Sequence, residues 1–345
     1  MKAVYIESHG GPEVLRYGDL PDPAISPHEI KIRVRAAGLN RLDIYGRSGE
    51  RGQRREFPPA HILGGDCAGD IEEIGDQVTT LHVGDRVVVN PRITCGMCSF
   101  CLSGDDDLCP KSQFLGSNMD GSYAEYVKVP AVNAHIISDI VSYESAAAAP
   151  TVYLPMWNML VRKGNIRPWE TVLVLSASAG VGTAAIQVIK QVIGGRVIAT
   201  TSTKDKAAKA IQLGADHVIN YTKEDVATRV RELTDRQGVD AVVDHVGAEF
   251  FEAAYKSLRA GGKYGICGVT SGYQTQLHMG ALFTKQLQVY GVFMGSKEDM
   301  RQIVAMINKG SLSPVVDQTF PLEQASEAHS YMEGRSFFGK LVLTI

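Results

Sequence analysis

Nothing in the 345-residue chain runs to eighteen consecutive apolar residues, so a membrane-spanning helix is not expected. The start, MKAVYIESHGG, has no continuous apolar stretch and turns polar at Glu7, which argues against a signal peptide and for a cytoplasmic protein. An excess of positive charge is missing too. With 35 Lys and Arg against 38 Asp and Glu the net charge is −3, whereas a nucleic-acid binder carries a basic face. Cysteine is scarce, six in all, and four of them crowd into residues 95–109. That distribution suits a metal site in a reducing compartment better than a disulfide framework. There is no internal repeat and no low-complexity linker. What remains, 44% apolar and 21% charged residues, is ordinary globular composition with enough length for two cores.

The chain has two rhythms. Up to about residue 145, strand-like runs alternate with Gly, Pro and Asp punctuation: EIKIRVRAAG (29–38), AGDIEEIG (68–75), GDRVVVNP (84–91) and GSYAEYVKVP (121–130). From Glu144 the pattern changes to ESAAAAPTVYLPMWNML, helix-like with breaks expected at Pro150 and Pro155. Val/Ile-rich runs then alternate with amphipathic stretches, from TVLVLSA through RVIATTS, HVINY, VDAVVDHVG and KYGICGV to LQVYGVFMG. Such alternation is the mark of βαβ units, and six strands predict a doubly wound parallel sheet. Gly214 and Gly261 stand where helices should end, and Thr222 with Asp225 has the look of a capping box. From about Lys297 the chain returns to mixed helix and strand and closes in GKLVLTI.

VLVLSASAGVGTAAIQ (172–187) reads strand, glycine loop, helix. Ala177 and Ala179 fill the first two positions of G-x-G-x-x-G, and Gly180 and Gly182 remain, so Ala179, Gly180, Val181 and Gly182 are candidates to let backbone N–H groups approach a pyrophosphate. NAD-specific sites place a carboxylate about 20 residues further on. Here Thr201 stands in that place, followed by Ser202, Thr203, Lys204 and Lys206, with Asp205 nearby. Hydroxyls and ammonium groups receive a 2′-phosphate that a carboxylate would repel, so NADP(H) is expected over NAD(H).

Cys95, Cys98, Cys101 and Cys109 follow C-x2-C-x2-C-x7-C. Four thiolates at this spacing suit tetrahedral zinc. An iron–sulfur cluster is the nearest competitor, since Pro110 follows Cys109, but the last gap is seven residues and no second cysteine set exists. With all ligands supplied by protein, the one zinc per chain should be structural. Asp105, Asp106 and Asp107 are expected to form a solvated loop tip, and Cys67 and Cys267 to be small buried hydrophobes.

With these motifs LGGDCAG (63–69), VGDRVVV (83–89), SASAGVG (176–182) and GADHVINY (214–221), the chain resembles the medium-chain dehydrogenase/reductase superfamily, the zinc alcohol dehydrogenase and quinone oxidoreductase group, over essentially its whole length. The resemblance implies a GroES-like catalytic domain (1–152, zinc lobe at 95–109), a Rossmann dinucleotide domain (153–296) and a C-terminal return to the first (297–345). It also implies a cleft, and homodimers or homotetramers in which LQVYGVFMG could extend the sheet. Relatives with a catalytic zinc hold it through a Cys, a His in Gly-His-Glu and a later Cys or acid. This sequence puts Asn40, Gly65 (with Asp66 for Glu) and Thr151 there, so no catalytic zinc is expected. GLNRLD instead is similar to the quinone oxidoreductase branch.

Without that metal, hydride delivery to a quinone, an α,β-unsaturated carbonyl or a related small carbonyl compound is the easier reaction. Asn40 is the first candidate for a hydrogen-bond donor, Tyr45 and Tyr153 for donors or proton sources, and Asp43 for orienting the loop. Asp66 is a water-binding or a buried hydrogen-bonded carboxylate, while His61 and His245 are structural. Tyr221, Val246 (DHVG), Gly268 (CGV) and Phe293 (FMG) are candidates to frame the dinucleotide, and the resemblance adds Lys340. The alternatives are an alcohol dehydrogenase and, from another class, a nucleotide-binding sensor without turnover.

Overall fold

The computed structural model describes residues 1–345 as two compact units, Met1–Thr151 with Ser296–Ile345, and Val152–Gly295. No helix is long and apolar enough to cross a membrane.

The first unit is built on a seven-stranded sheet whose centre is strand Glu29–Gly38. Alternation sets its faces: Ile30, Ile32 and Val34 are buried, while Arg33 and Arg35 point out to Glu72 and Asp70. Strand Asp66–Ile74 pairs on one side, and strand Lys340–Thr344 pairs antiparallel with its last residues. Gly38 lies opposite both Asp66 and Val342. A Cβ at Gly38 would come 2.4 Å from the Ala147 carbonyl oxygen, so only glycine lets helix Tyr143–Ala147 press onto the sheet there. This packing brings three chain segments remote in sequence to the same end of the sheet.

The second unit has six parallel strands in the spatial order His217–Asn220, Arg196–Thr201, Thr171–Val174, Val239–Asp244, Leu258–Ile266 and Gln288–Gly291. Val172, Leu173 and Val174 are fully buried, as the continuous apolar run of a central parallel strand requires. The chain order reverses direction at strand Thr171–Val174, which leads into the glycine loop. The fold is the expected GroES-like domain plus Rossmann sheet.

Several local expectations fail for physical reasons. The strand expected over 121–130 covers only Tyr126–Pro130, because Gly121, Ser122 and Tyr123 bond instead to the carbonyls of Ile62, Gly64 and Leu63. Helix Ala248–Lys256 ends well before Gly261, which sits at φ +74° inside the next strand. Helix Val226–Leu233 is capped by the Asp225 side chain on Thr228 N–H, while Thr222 is held in a turn by Asn220. Pro150 opens a helix, as its missing N–H allows, and Pro155 lies inside that helix, which continues as a wider π turn over Trp157–Lys163. Asp106 and Asp107 are buried, leaving only Asp105 of the acidic run in solvent. Asp106 takes the Lys297 ammonium at 2.7 Å and the Lys297 N–H at 3.2 Å, so the loop docks on the returning chain.

Candidate active site and metal centre

At the end of strand Glu29–Gly38 the chain turns through Leu39 and Asn40 into helix Arg41–Ser48, and Asn40 meets Asp66 and Lys340 from the flanking strands. The buried Lys340 ammonium has three hydrogens and three partners: Leu39 O at 2.6 Å, Asn40 Oδ1 at 2.5 Å and Asp66 Oδ2 at 3.3 Å. Burial holds its pKa below the ordinary lysine value, against the pull of Asp66 and Asp43. Asp66 is wholly buried and accepts four further contacts from two residues: Asn40 Nδ2 at 2.9 Å, Thr151 Oγ1 at 2.6 Å, and Thr151 N–H at 3.1 Å to one oxygen and 3.4 Å to the other. The Asn40 amide also donates to Gly38 O at 3.3 Å. Ammonium and carboxylate neutralise each other, and both amide hydrogens of Asn40 are committed inward. The expectation that Asn40 donates to a substrate oxygen is corrected accordingly. Thr151 is the partly exposed member of the cluster.

Behind Asn40 lies a second buried row. Asp43 accepts the Asn40 backbone N–H at 2.7 Å and the Tyr123 hydroxyl at 3.1 Å, and burial pushes its pKa up to about 7. His329 stands 3.4 Å from Tyr123 Oη and 3.4 Å from Arg47 Nη1, and Arg47 reaches Glu333 at 2.8 Å. Burial and the Arg47 charge lower the His329 pKa to about 3, so its ring is neutral. Tyr123, His329, Arg47 and Glu333 escaped sequence reasoning. They come from separate segments with no motif, and only the fold brings them together.

Tyr45 stays apart from this cluster, its ring 4.9 Å from the Arg51 guanidinium. Tyr153, in the other unit, is 1% exposed with an unpartnered hydroxyl, and burial raises its pKa far above the usual phenol range. A hydroxyl so sealed is a poor proton source. His61 bonds Asp120 and Gly116 O, and His245 bonds Leu175 O, both as structural groups.

In the second unit the glycine loop is pinned from the neighbouring strand, with Ser176 N–H on Thr200 Oγ1 and Ala177 N–H on Thr200 O, both at 2.9 Å. Ser176 takes a left-handed φ of +50° in this tight turn. Helix Gly180–Gln187 begins after Ala179 with no side-chain cap, so its first N–H groups stay available to an anion. A Cβ on Gly182 would lie 2.4 Å from Ser176 O, which explains that glycine, and Val181 is partly exposed beside it. These features fit a pyrophosphate. Thr201 is less available than expected: it is buried and its hydroxyl bonds Thr203 O at 3.3 Å. Thr203 caps the next helix through Lys206 N–H, leaving Ser202 and Lys206 partly exposed. Tyr221 bonds Thr201 O through its N–H and packs edge-on against Phe250. Val246, Gly268 and Phe293 all follow the carboxyl ends of their strands. Asp244, unforeseen, fixes the first of these loops by accepting Val246 N–H, Gly247 N–H and the Tyr264 hydroxyl.

The four cysteines of the lobe converge, all four sulfurs lying within 4.8 Å of one another, and they are the chain's one cluster of three or more His, Cys, Asp or Glu side chains able to hold an ion. Their spacings of 3.5, 3.6 and 3.9 Å match the about 3.8 Å between ligands of a tetrahedral Zn–S₄ centre. Backbone N–H groups of Met97 and Cys98 bring the Cys95 thiol down to about 6, which favours the ligating thiolate. Met97, Phe100, Leu102 and Leu108 are exposed, so the lobe has little core of its own. Cys67 is fully buried and burial drives its thiol up, while Cys267 is only partly buried.

Residues 26–139 match a family model described as alcohol dehydrogenase GroES-like domain, and residues 180–309 one described as zinc-binding dehydrogenase. The chain is 33% identical over 350 residues to an NAD-dependent alcohol dehydrogenase of Saccharolobus solfataricus, with 99% of each covered. To an acryloyl-coenzyme A reductase of Sulfurisphaera tokodaii it is 30% identical over 345 residues, again with 99% of each covered. A solved structure described as an NAD-dependent alcohol dehydrogenase superposes with a TM-score of 0.96 at 43% identity, covering 100% of both chains.

Proposed function

Because the chain belongs to the medium-chain dehydrogenase/reductase superfamily of oxidoreductases, we propose that its reaction is hydride transfer without a catalytic metal, from a nicotinamide dinucleotide to an electron-poor acceptor such as a conjugated carbonyl, an enoyl thioester or a quinone. The Asn40–Asp66–Lys340 cluster carries this reading. Where the family's metal ligands would stand, the chain has Asn40, Gly65 and Thr151, and an internal ammonium already balances Asp66. That set lacks the imidazole nitrogen and thiolate sulfur a catalytic zinc takes. The bound nicotinamide supplies the hydride. Asn40 and Lys340 have no spare hydrogen for a developing oxyanion, so the acceptor itself must spread the charge, and conjugation does this.

For the cofactor, the missing carboxylate at the end of strand Arg196–Thr201, with Ser202, Lys204 and Lys206 after it, supports NADP(H). The names of the relatives support NAD(H).

A second reading is alcohol oxidation, and the relatives' names weigh for it more heavily than for the first. In that case Thr151 is the residue to watch. Its hydroxyl hydrogen is committed to Asp66, so it can relay a proton: as its oxygen takes the proton of a substrate hydroxyl, its own hydrogen passes to the Asp66 carboxylate, and the substrate hydride goes to the oxidised nicotinamide.

The deciding assay sets conjugated ketones and enoyl thioesters against primary and secondary alcohols, with NADH and NADPH in parallel. The proposal expects cofactor oxidation by conjugated acceptors in protein holding one zinc per chain. Turnover of alcohols alone would overturn it and establish the second reading.

A further inference from the structure

The buried network around Asn40 does not balance in charge. Lys340 of strand Lys340–Thr344 faces Asp66 of strand Asp66–Ile74. Arg47 of helix Arg41–Ser48, its side chain 3% exposed, reaches outward to the solvent-exposed Glu333 of helix Ala325–Glu333. Each cation thus has its own carboxylate. Asp43, between the two pairs, has none. Its neighbours are the Asn40 N–H and the Tyr123 hydroxyl, and beyond Tyr123 lies the neutral His329 ring. A buried carboxylate without a paired cation is costly to ionise, so it keeps a proton to higher pH than a solvated one. Lys340 favours the ionised form from a distance and Asp66 opposes it.

We propose that Asp43 is the titrating positioning residue of this site: on losing its proton its carboxylate tightens on the Asn40 N–H and the Tyr123 hydroxyl and fixes the first turn of helix Arg41–Ser48 beside Asp66 and Lys340. This goes beyond the proposed reaction and does not depend on which of its two readings holds, since both use the same cluster. Ionised, Asp43 holds Asn40 more firmly because a charged acceptor makes the stronger hydrogen bond. The same ionisation buries an unpaired charge and weakens the fold. Positioning and stability therefore move in opposite directions with pH.

The linkage has a definite sign. The folded pKa, about 7, lies above that of the unfolded chain, so the stabilisation from Asp43 is complete below the unfolded value and is lost as pH rises through 7. Between those limits unfolding releases the Asp43 proton. Calorimetric unfolding of the zinc-loaded protein at pH 6, in two buffers of different ionisation enthalpy, should show about one more proton released by the wild type than by Asp43→Asn, and no difference by pH 8.5. His329 takes up protons in both proteins and cancels. Equal proton release at pH 6 would overturn the assignment. Should Asp43→Asn not fold, Tyr123→Phe removes a donor that favours the ionised form and should move the pH midpoint of the stability curve upward; an unmoved midpoint also overturns it. Once a substrate is in hand, Asp43→Asn should flatten the rise of kcat/KM through neutral pH, and a retained rise counts against a positioning role.

Discussion

The four-cysteine lobe and the Asn40–Asp66–Lys340 cluster both gather polar side chains, and they handle charge in opposite ways. The lobe offers four sulfurs and no cation, on a loop whose large apolar residues face solvent. The four sulfurs suit an ion taken up from solution, which would add to the hold that Lys297 has on Asp106. The cluster carries its own cation, Lys340, clamped between three strands with the core of the sheet behind it. One place is suited to an ion from outside and the other is filled from within. The difference explains how a member of a zinc-binding dehydrogenase family can keep a four-cysteine lobe suited to a metal while its candidate active site lacks the imidazole and thiolate ligands of a catalytic zinc.

Removing the ion from the lobe is the sharpest way to break this comparison, and the largest effect is expected there. Structural zinc is worth about 10–16 kcal/mol in small zinc-binding peptides, and a lobe without a core has little to replace it. Cys95→Ser with Cys109→Ser should leave the protein without zinc and open residues 95–109 to proteolysis; elemental analysis and limited digestion check both. One zinc per chain persisting in that variant, with residues 95–109 open to proteolysis, would mean that the cluster binds metal after all. Lys340→Met should come next. It strands Asp66 in the interior, and breaking a buried pair from one side costs about 3–5 kcal/mol. Adding Asp66→Asn should recover a good part of that loss in denaturant unfolding, because the uncompensated charge is then gone. The zinc content should not change in either.

Much of this was legible beforehand, in proportion to how local the signal was. The C-x2-C-x2-C-x7-C spacing, the SASAGVG loop and the strand periodicities are all set within a few tens of residues, and they appear where expected apart from the first half of the run at 121–130. The replaced ligand positions at Asn40, Gly65 and Thr151 were also readable, because the resemblance supplies a pattern to compare. What they do was not. Asn40 is a natural donor on paper, but its amide is committed once Lys340, 300 residues away, arrives beside it. Asp106 likewise looks like a surface acid until Lys297, 191 residues on, docks against it. Tyr123, His329 and Arg47 carry no motif because their relation exists only after the C-terminal helix has packed. Short-range patterns survive in the sequence, whereas pairings made by closing the sheet on its C-terminal strand do not.

The smallest change should be the most informative about chemistry. Thr151 donates to Asp66 through both its hydroxyl and its backbone N–H, and Thr151→Val removes only the first. A hydrogen bond to a charged acceptor contributes about 1.5–3 kcal/mol, and with Thr151 partly exposed and Asp66 keeping its other donors the loss should fall near the low end, at about 1.5 kcal/mol. Thr151→Ser should restore it. The rates then separate the two readings of the site. If Thr151 only braces Asp66, Thr151→Val lowers the unfolding midpoint while kcat toward a conjugated acceptor stays within about threefold. If its hydroxyl relays the proton of an alcohol to Asp66, the same variant should reduce kcat for alcohol oxidation by about 10²-fold or more, the usual scale for losing a proton-transfer contact, with Thr151→Ser largely restoring the rate. A comparable fall toward both substrate classes would show that Thr151 positions the reactants, and the contrast between a braced cluster and a reactive one would have to be redrawn around its hydroxyl.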